Sequence, residues 1–156
     1  MSFKTILVPI EQHDRMNATL ETALLLARKF DSYVEGFALR VELATAFAVG
    51  DVAAVPIPAL EQDIATNEQQ SRALFENFMQ TQGVRRGDAK ALSSGWLDNA
   101  PEGDHFVGSH GRVFDVIVLG RPGRDPGGPR LIRNHEKRVA AALQRRLYGG
   151  GTDKFP

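Results

Sequence analysis

Glycines and arginines close behind an apolar run are the residues of this chain best suited to handle an anion. Gly120 and Gly123 stand three apart, directly after Phe114-Asp115-Val116-Ile117-Val118-Leu119. Glycine lets a backbone approach a ligand closely and turn its N–H groups toward negative charge. Arg121, Arg124 and Arg130 would add guanidinium donors to those amides. A second candidate is Pro9-Ile10-Glu11, where a carboxylate follows another apolar run. The plainer reading of Gly120-x-x-Gly123 is a loop that only joins strand to helix, because so short a pattern specifies little.

Stronger motifs are absent. No Gly-x-x-x-x-Gly-Lys-Ser/Thr or Gly-x-Gly-x-x-Gly occurs, which excludes a P-loop and the dinucleotide fingerprint. Gly108-Ser109-His110-Gly111 only looks like a nucleophile elbow, since adjacent residues do not form a serine–histidine pair. Asp104, His105 and His110, or Glu11, His13 and Asp14, could be written as metal ligands, but neither set has a zinc spacing. With no cysteine in the chain, disulfides, thiolate zinc sites and a cysteine nucleophile are excluded. Trp96 reads as a core or lid residue at a strand end.

The elements that would position these residues are legible from periodicity. Thr5–Ile10 is a short continuous apolar run, the pattern of a parallel strand buried on both faces. Asp14 is the expected N-cap of a helix over Met16–Phe30, whose Met16, Leu20, Ala23, Leu24, Ala27 and Phe30 recur at helical spacing. Tyr33–Val41 reads as a second strand, completing a βαβ unit. Residues 42–58 are Ala- and Val-rich with few charges, a long connection suited to an interaction surface. After Pro58 a long amphipathic helix carries Leu60, Ile64, Ser71, Leu74, Phe75, Phe78 and Met79, and Gly83 is its stop. A weak third strand over Ala89–Leu97, a short helix over Asp104–Gly111 and a buried strand over Phe114–Gly120 follow. Asn134–Leu147 reads as a last helix. This alternation predicts an α/β fold, an open parallel sheet with helices on both faces.

At 156 residues and 42% apolar composition, the chain is sized for one globular domain. No apolar run reaches the roughly 20 residues of a membrane-spanning helix. The start leaves no room for a signal peptide, so the expected location is cytoplasmic. The net charge of zero conceals an asymmetry: residues 1–129 are acidic, and residues 130–156 carry seven Lys and Arg against Glu136 and Asp153. A basic tail can serve nucleic acid, but the body has no matching stripe, so nucleic acid is not an expected partner.

Lys4-Thr5-Ile6-Leu7-Val8-Pro9-Ile10-Glu11, the helix with Ala23-Leu24-x-x-Ala27, and Phe114–Gly123 together resemble the universal stress protein superfamily over residues 3 to about 125. The resemblance implies a Rossmann-like five-stranded parallel sheet, adenine-nucleotide binding in one branch, and frequent dimers. By that resemblance, a nucleotide such as ATP would meet Pro9, Ile10, Glu11, Leu39, Gly120, Arg121, Pro122, Gly123, Arg124 and Arg130. The expected partner is a second copy of the chain or another universal-stress domain.

Two departures bear on function. Glu11 stands where the family usually has Asp. The nucleotide-binding branch continues Gly-x-x-G with nine residues and then Gly-Ser or Gly-Thr, whereas counting on from Gly123 reaches Arg133-Asn134. The family's final apolar strand is also not visible after Leu147, so the fifth strand is expected to be missing or replaced. Residues 1–129 thus form the universal-stress-like unit, and 130–156 an atypical basic ending of the same domain. Natural divergence and a changed reading frame near residue 130 both account for such an ending. The expected function is a non-enzymatic binding or regulatory protein of the stress response with a degraded nucleotide site. The alternatives are an ATP-binding protein, at most slowly hydrolytic, and an interaction module working through residues 42–58.

Overall fold

The computed structural model describes residues 3–13, 15–40, 57–87, 91–101 and 104–120. Of the expected connection 42–58, residues 42–56 lie outside them, as do the Arg121–Pro129 loop, the helix Asn134–Leu147 and the fifth strand; Ile57 and Pro58 already belong to the following helix, whose first turn tolerates proline. Among the described residues a four-stranded parallel sheet carries helices on both faces, the α/β class that the alternating pattern predicts.

Strand β1 (Thr5–Ile10) is buried along nearly its whole length, as a run of β-branched and aliphatic residues at the centre of a parallel sheet requires. It pairs in parallel with β2 (Tyr33–Ala38), Thr5 opposite Tyr33 and Ile10 opposite Ala38. Between them runs helix α1 (Met16–Phe30). Its N-cap position is held by Arg15 with no side-chain cap, and the Arg15 backbone N–H donates to His13 Nδ1 at 3.1 Å. The expected cap, Asp14, lies outside the described residues. At the other end Asp31 takes the left-handed conformation, φ 53°, and its carboxylate accepts the Leu92 N–H at 2.9 Å.

The long helix α2 (Ile57–Thr81) stops as its sequence predicts. Gly83 adopts φ 72°, while the N–H groups of Gly83 and Val84 donate to the carbonyls of Gln80 and Met79. This is the Schellman arrangement, and buried Val84 and Met79 supply its apolar contact. Strand β3 (Ser93–Trp96) is shorter than the expected Ala89–Leu97. Ala91 and Leu92 form a bend rather than strand, and 88–90 are outside the described residues. Beside it, Arg85 and Gly87 exchange backbone hydrogen bonds with Ser94.

Helix α3 (Asp104–His110) runs into a single 3₁₀ turn, Gly111–Val113, and then β4 (Val116–Ile117). The sequence predicts a strand over Phe114–Gly120 buried on both faces. The structure gives a two-residue strand at the edge of the described sheet, half-buried, with Leu119 exposed. Among the described residues β1 alone pairs with it, although Asp115 and Val118 also donate to the Thr5 and Leu7 carbonyls. β2 likewise ends at Ala38, short of the expected Val41.

The pleat divides the core in two. Ile6, Val8 and Ile10 face α1 and α2 with Val34, Phe75, Met79 and Trp96. Leu7, Phe37 and Leu39 face α3 with Ala100 and Val107. Trp96 is accordingly a core residue at a strand end, as its position in the sequence suggests. Phe75 lies directly on the sheet because Gly36 offers no Cβ; one added there would stand 2.8 Å from the Phe75 ring.

Candidate functional site

The strand order is β3-β2-β1-β4. The chain proceeds outward from β1 through β2 to β3, then returns to the other side of β1 for β4. The order therefore reverses between β1 and β4, and in open parallel sheets ligands occupy the crevice beyond the carboxyl ends at such a point. Both sequence candidates end there: Pro9-Ile10-Glu11 leaves β1, and Gly120 closes the segment after β4.

Each candidate residue has a definite place. Pro9 and Ile10 are buried, Ile10 wholly within the cluster under α1, so its side chain belongs to the core. Glu11 is half-buried at the strand exit. Leu39 is buried on the α3 side, and its N–H donates to the Ile10 carbonyl at 3.0 Å, which ties the exits of β1 and β2 together. Gly120 lies against the β1–α1 turn. A Cβ on it would meet His13 Nε2 at 2.7 Å and Thr19 Oγ1 at 2.9 Å. Arg121, Pro122, Gly123, Arg124 and Arg130 are outside the described residues, so the structure joins only the first half of the glycine pattern to the β1 exit.

His13 and Thr19 are the residues at this crevice that sequence reasoning missed in that role. His13 was legible only as one member of a weak metal-ligand set, and Thr19 as a helix residue near the N-terminus of α1. In the structure, His13 Nδ1 accepts the Arg15 N–H while its ring edge faces Gly120. Thr19 is buried, and its hydroxyl donates to the Arg15 carbonyl at 3.3 Å. Among the described residues no group of three His, Cys, Asp or Glu side chains could hold a metal ion.

The exits of β2 and β3 are braced by charge. Arg40, just beyond β2, pairs with Glu68 of α2, whose other carboxylate oxygen accepts the Asn99 N–H at 3.1 Å. At the opposite end of the strands, on the α3 side, Glu35 accepts hydrogen bonds from the Tyr33 hydroxyl at 3.0 Å and His110 Nε2 at 2.9 Å. His110 stacks on Phe106 with ring centroids 5.0 Å apart. Burial, then the adjacent Glu35 charge, pushes the Tyr33 phenol well above its ordinary value. This polar group holds α3 to β2. Period-two alternation puts Tyr33 and Glu35 on one face, but nothing in the sequence brings His110 to them. The outer end of β4 is held by Asp115, whose carboxylate accepts the Lys4 and Thr5 N–H groups at 2.7 and 3.0 Å.

Among the described residues no helix is long and apolar enough to cross a membrane. No family model matches the chain, and no curated protein matches it. One solved structure that is similar is the universal stress protein UspA from Lactobacillus plantarum. It shares 19% sequence identity over 83% of this chain and 85% of that chain, with a TM-score of 0.49.

Proposed function

We propose that this chain is a universal-stress-type binding or regulatory domain whose adenine-nucleotide site has been reduced to a remnant. The packing at Gly120 carries the reading. The glycine that would let a backbone approach phosphate has its Cβ space filled by His13 and Thr19 of the same chain. An internal packing role thus accounts for Gly120 without a ligand. The sequence points the same way, because Arg133-Asn134 stand where the nucleotide-binding pattern has Gly-Ser or Gly-Thr. Neither residue combines a close backbone with a small hydroxyl.

Under this reading the domain acts through partners, a second copy or another domain of its kind, rather than through turnover of ATP. Titration calorimetry of nucleotide-free protein with Mg-ATP tests it. The expected result is no saturable heat up to millimolar nucleotide. A dissociation constant near 1 µM, about −8 kcal/mol of binding free energy, would overturn the proposal and establish ATP binding.

A further inference from the structure

On the outer flank of β3, away from the β1–β4 crevice, a cavity of about 430 Å³ lies between this strand and the C-terminal half of α2. That volume is in the range of small-molecule sites. Its floor is apolar: Phe75, Met79, Val84 and Trp96 are all buried core residues. Its rim carries Glu76, Arg85 and Arg86. The Glu76 carboxylate is already shared, 3.0 Å from Arg72 and 3.5 Å from Arg86. Arg85 is exposed, and among the described residues its guanidinium makes no ion pair. In the wall, the indole N–H of Trp96 is buried and has no hydrogen-bond partner among the described residues.

These features combine into a recognition pattern. A buried aromatic and aliphatic floor accepts a hydrocarbon body. Arg85 and Arg86 both line the rim, and with Glu76 already paired they favour an anionic head over a neutral or cationic one. Glu76 is held back by its own pairs and leaves the rim net positive. We infer that this cavity binds a small amphipathic carboxylate, with its hydrocarbon on Val84 and Trp96 above the Phe75 and Met79 core and its carboxylate on Arg85 and Arg86.

Trp96 is the sole tryptophan of the chain, so its emission reports on the cavity without a label. Sodium octanoate is titrated into the full chain, with octanol as the uncharged counterpart. Arg85→Glu is the variant, and its circular dichroism and melting are compared with the parent, since an exposed side chain should not decide folding. The expected result is a saturable change in Trp96 emission with octanoate at a dissociation constant below about 1 mM. Octanol and the Arg85→Glu protein should each bind at least about tenfold more weakly, the worth of one charge-assisted contact. No saturable response to octanoate overturns the proposal. Equal affinity for octanol, or unchanged octanoate affinity in a folded Arg85→Glu protein, also overturns it, because the cavity would then be apolar without recognising an anion. A parallel titration of Arg86→Glu is expected to show the same loss and keeps the test open if Arg85→Glu misfolds.

Discussion

Replacing Gly36 by alanine tests the packing that fixes β2 against α2. A Cβ at this position would lie 2.8 Å from two carbons of the Phe75 ring. Carbon atoms prefer roughly 3.5–4.0 Å, so the overlap is about 1 Å. Phe75 is 1% exposed, and its ring centroid is 5.6 Å from that of Trp96, so it cannot swing into solvent. Overpacking of this kind costs about 1–3 kcal/mol, and rigid neighbours place Gly36→Ala near 2 kcal/mol. For a chain of this length that lowers the melting temperature by roughly 4–8 °C. Urea unfolding followed by Trp96 emission measures the loss directly. The contact can then be isolated by combining Gly36→Ala with Phe75→Leu, which removes ring carbons from the overlap. The double variant should be less destabilised than the sum of the singles by about 1 kcal/mol. A Gly36→Ala protein within about 0.5 kcal/mol of the parent would refute the reasoning, as would strictly additive effects.

Two titrations follow from the hydrogen bonds. The backbone N–H groups of Lys4 and then Thr5 hold the Asp115 carboxylate below its ordinary value of 3.8. Its contribution to stability is therefore present above that value and is lost as pH falls through the lowered one. Asp115→Asn should be less stable than the parent at about pH 6, with the gap closing in acid; a gap that stays constant into acid would contradict this. Tyr33, raised above 10.0 by burial and by Glu35, favours the folded state fully below pH 10.0 and loses that effect as pH climbs toward its folded value. In a phenolate absorbance titration, the step missing from Tyr33→Phe should come well above pH 10.0, and an ordinary value for that step would contradict the burial of the group.

The elements that could be read from sequence were those whose pattern reports burial by itself. β1 is apolar throughout, and α1 carries an unbroken helical stripe, so the bounds of both agree with the expected ones. β3 was obscured because Ser93 and Ser94 are buried yet polar, and Gly95 interrupts any apolar run. β4 misled in the other direction: seven residues of strand-like sequence give two residues of ladder where only β1 lies beside them among the described residues. At the site, the convergence of Glu11 and Gly120 followed from strand order. The contact of His13 and Thr19 with Gly120 did not, because it depends on how the β1–α1 turn and the segment after β4 approach in space. The Tyr33–Glu35–His110 group joins residues 75 positions apart, which no local pattern encodes.

Binding at the crevice is best followed residue by residue, by recording amide resonances of isotope-labelled full-length protein during titration with Mg-ATP. The amides of Ile10, Glu11, His13 and Gly120 surround the point where the strand order reverses. A remnant site predicts that these resonances stay in place, or drift without saturating, up to several millimolar nucleotide, about the regime of a −4 kcal/mol interaction or weaker. Saturating shifts confined to these amides, with a dissociation constant in the micromolar range, would contradict the account.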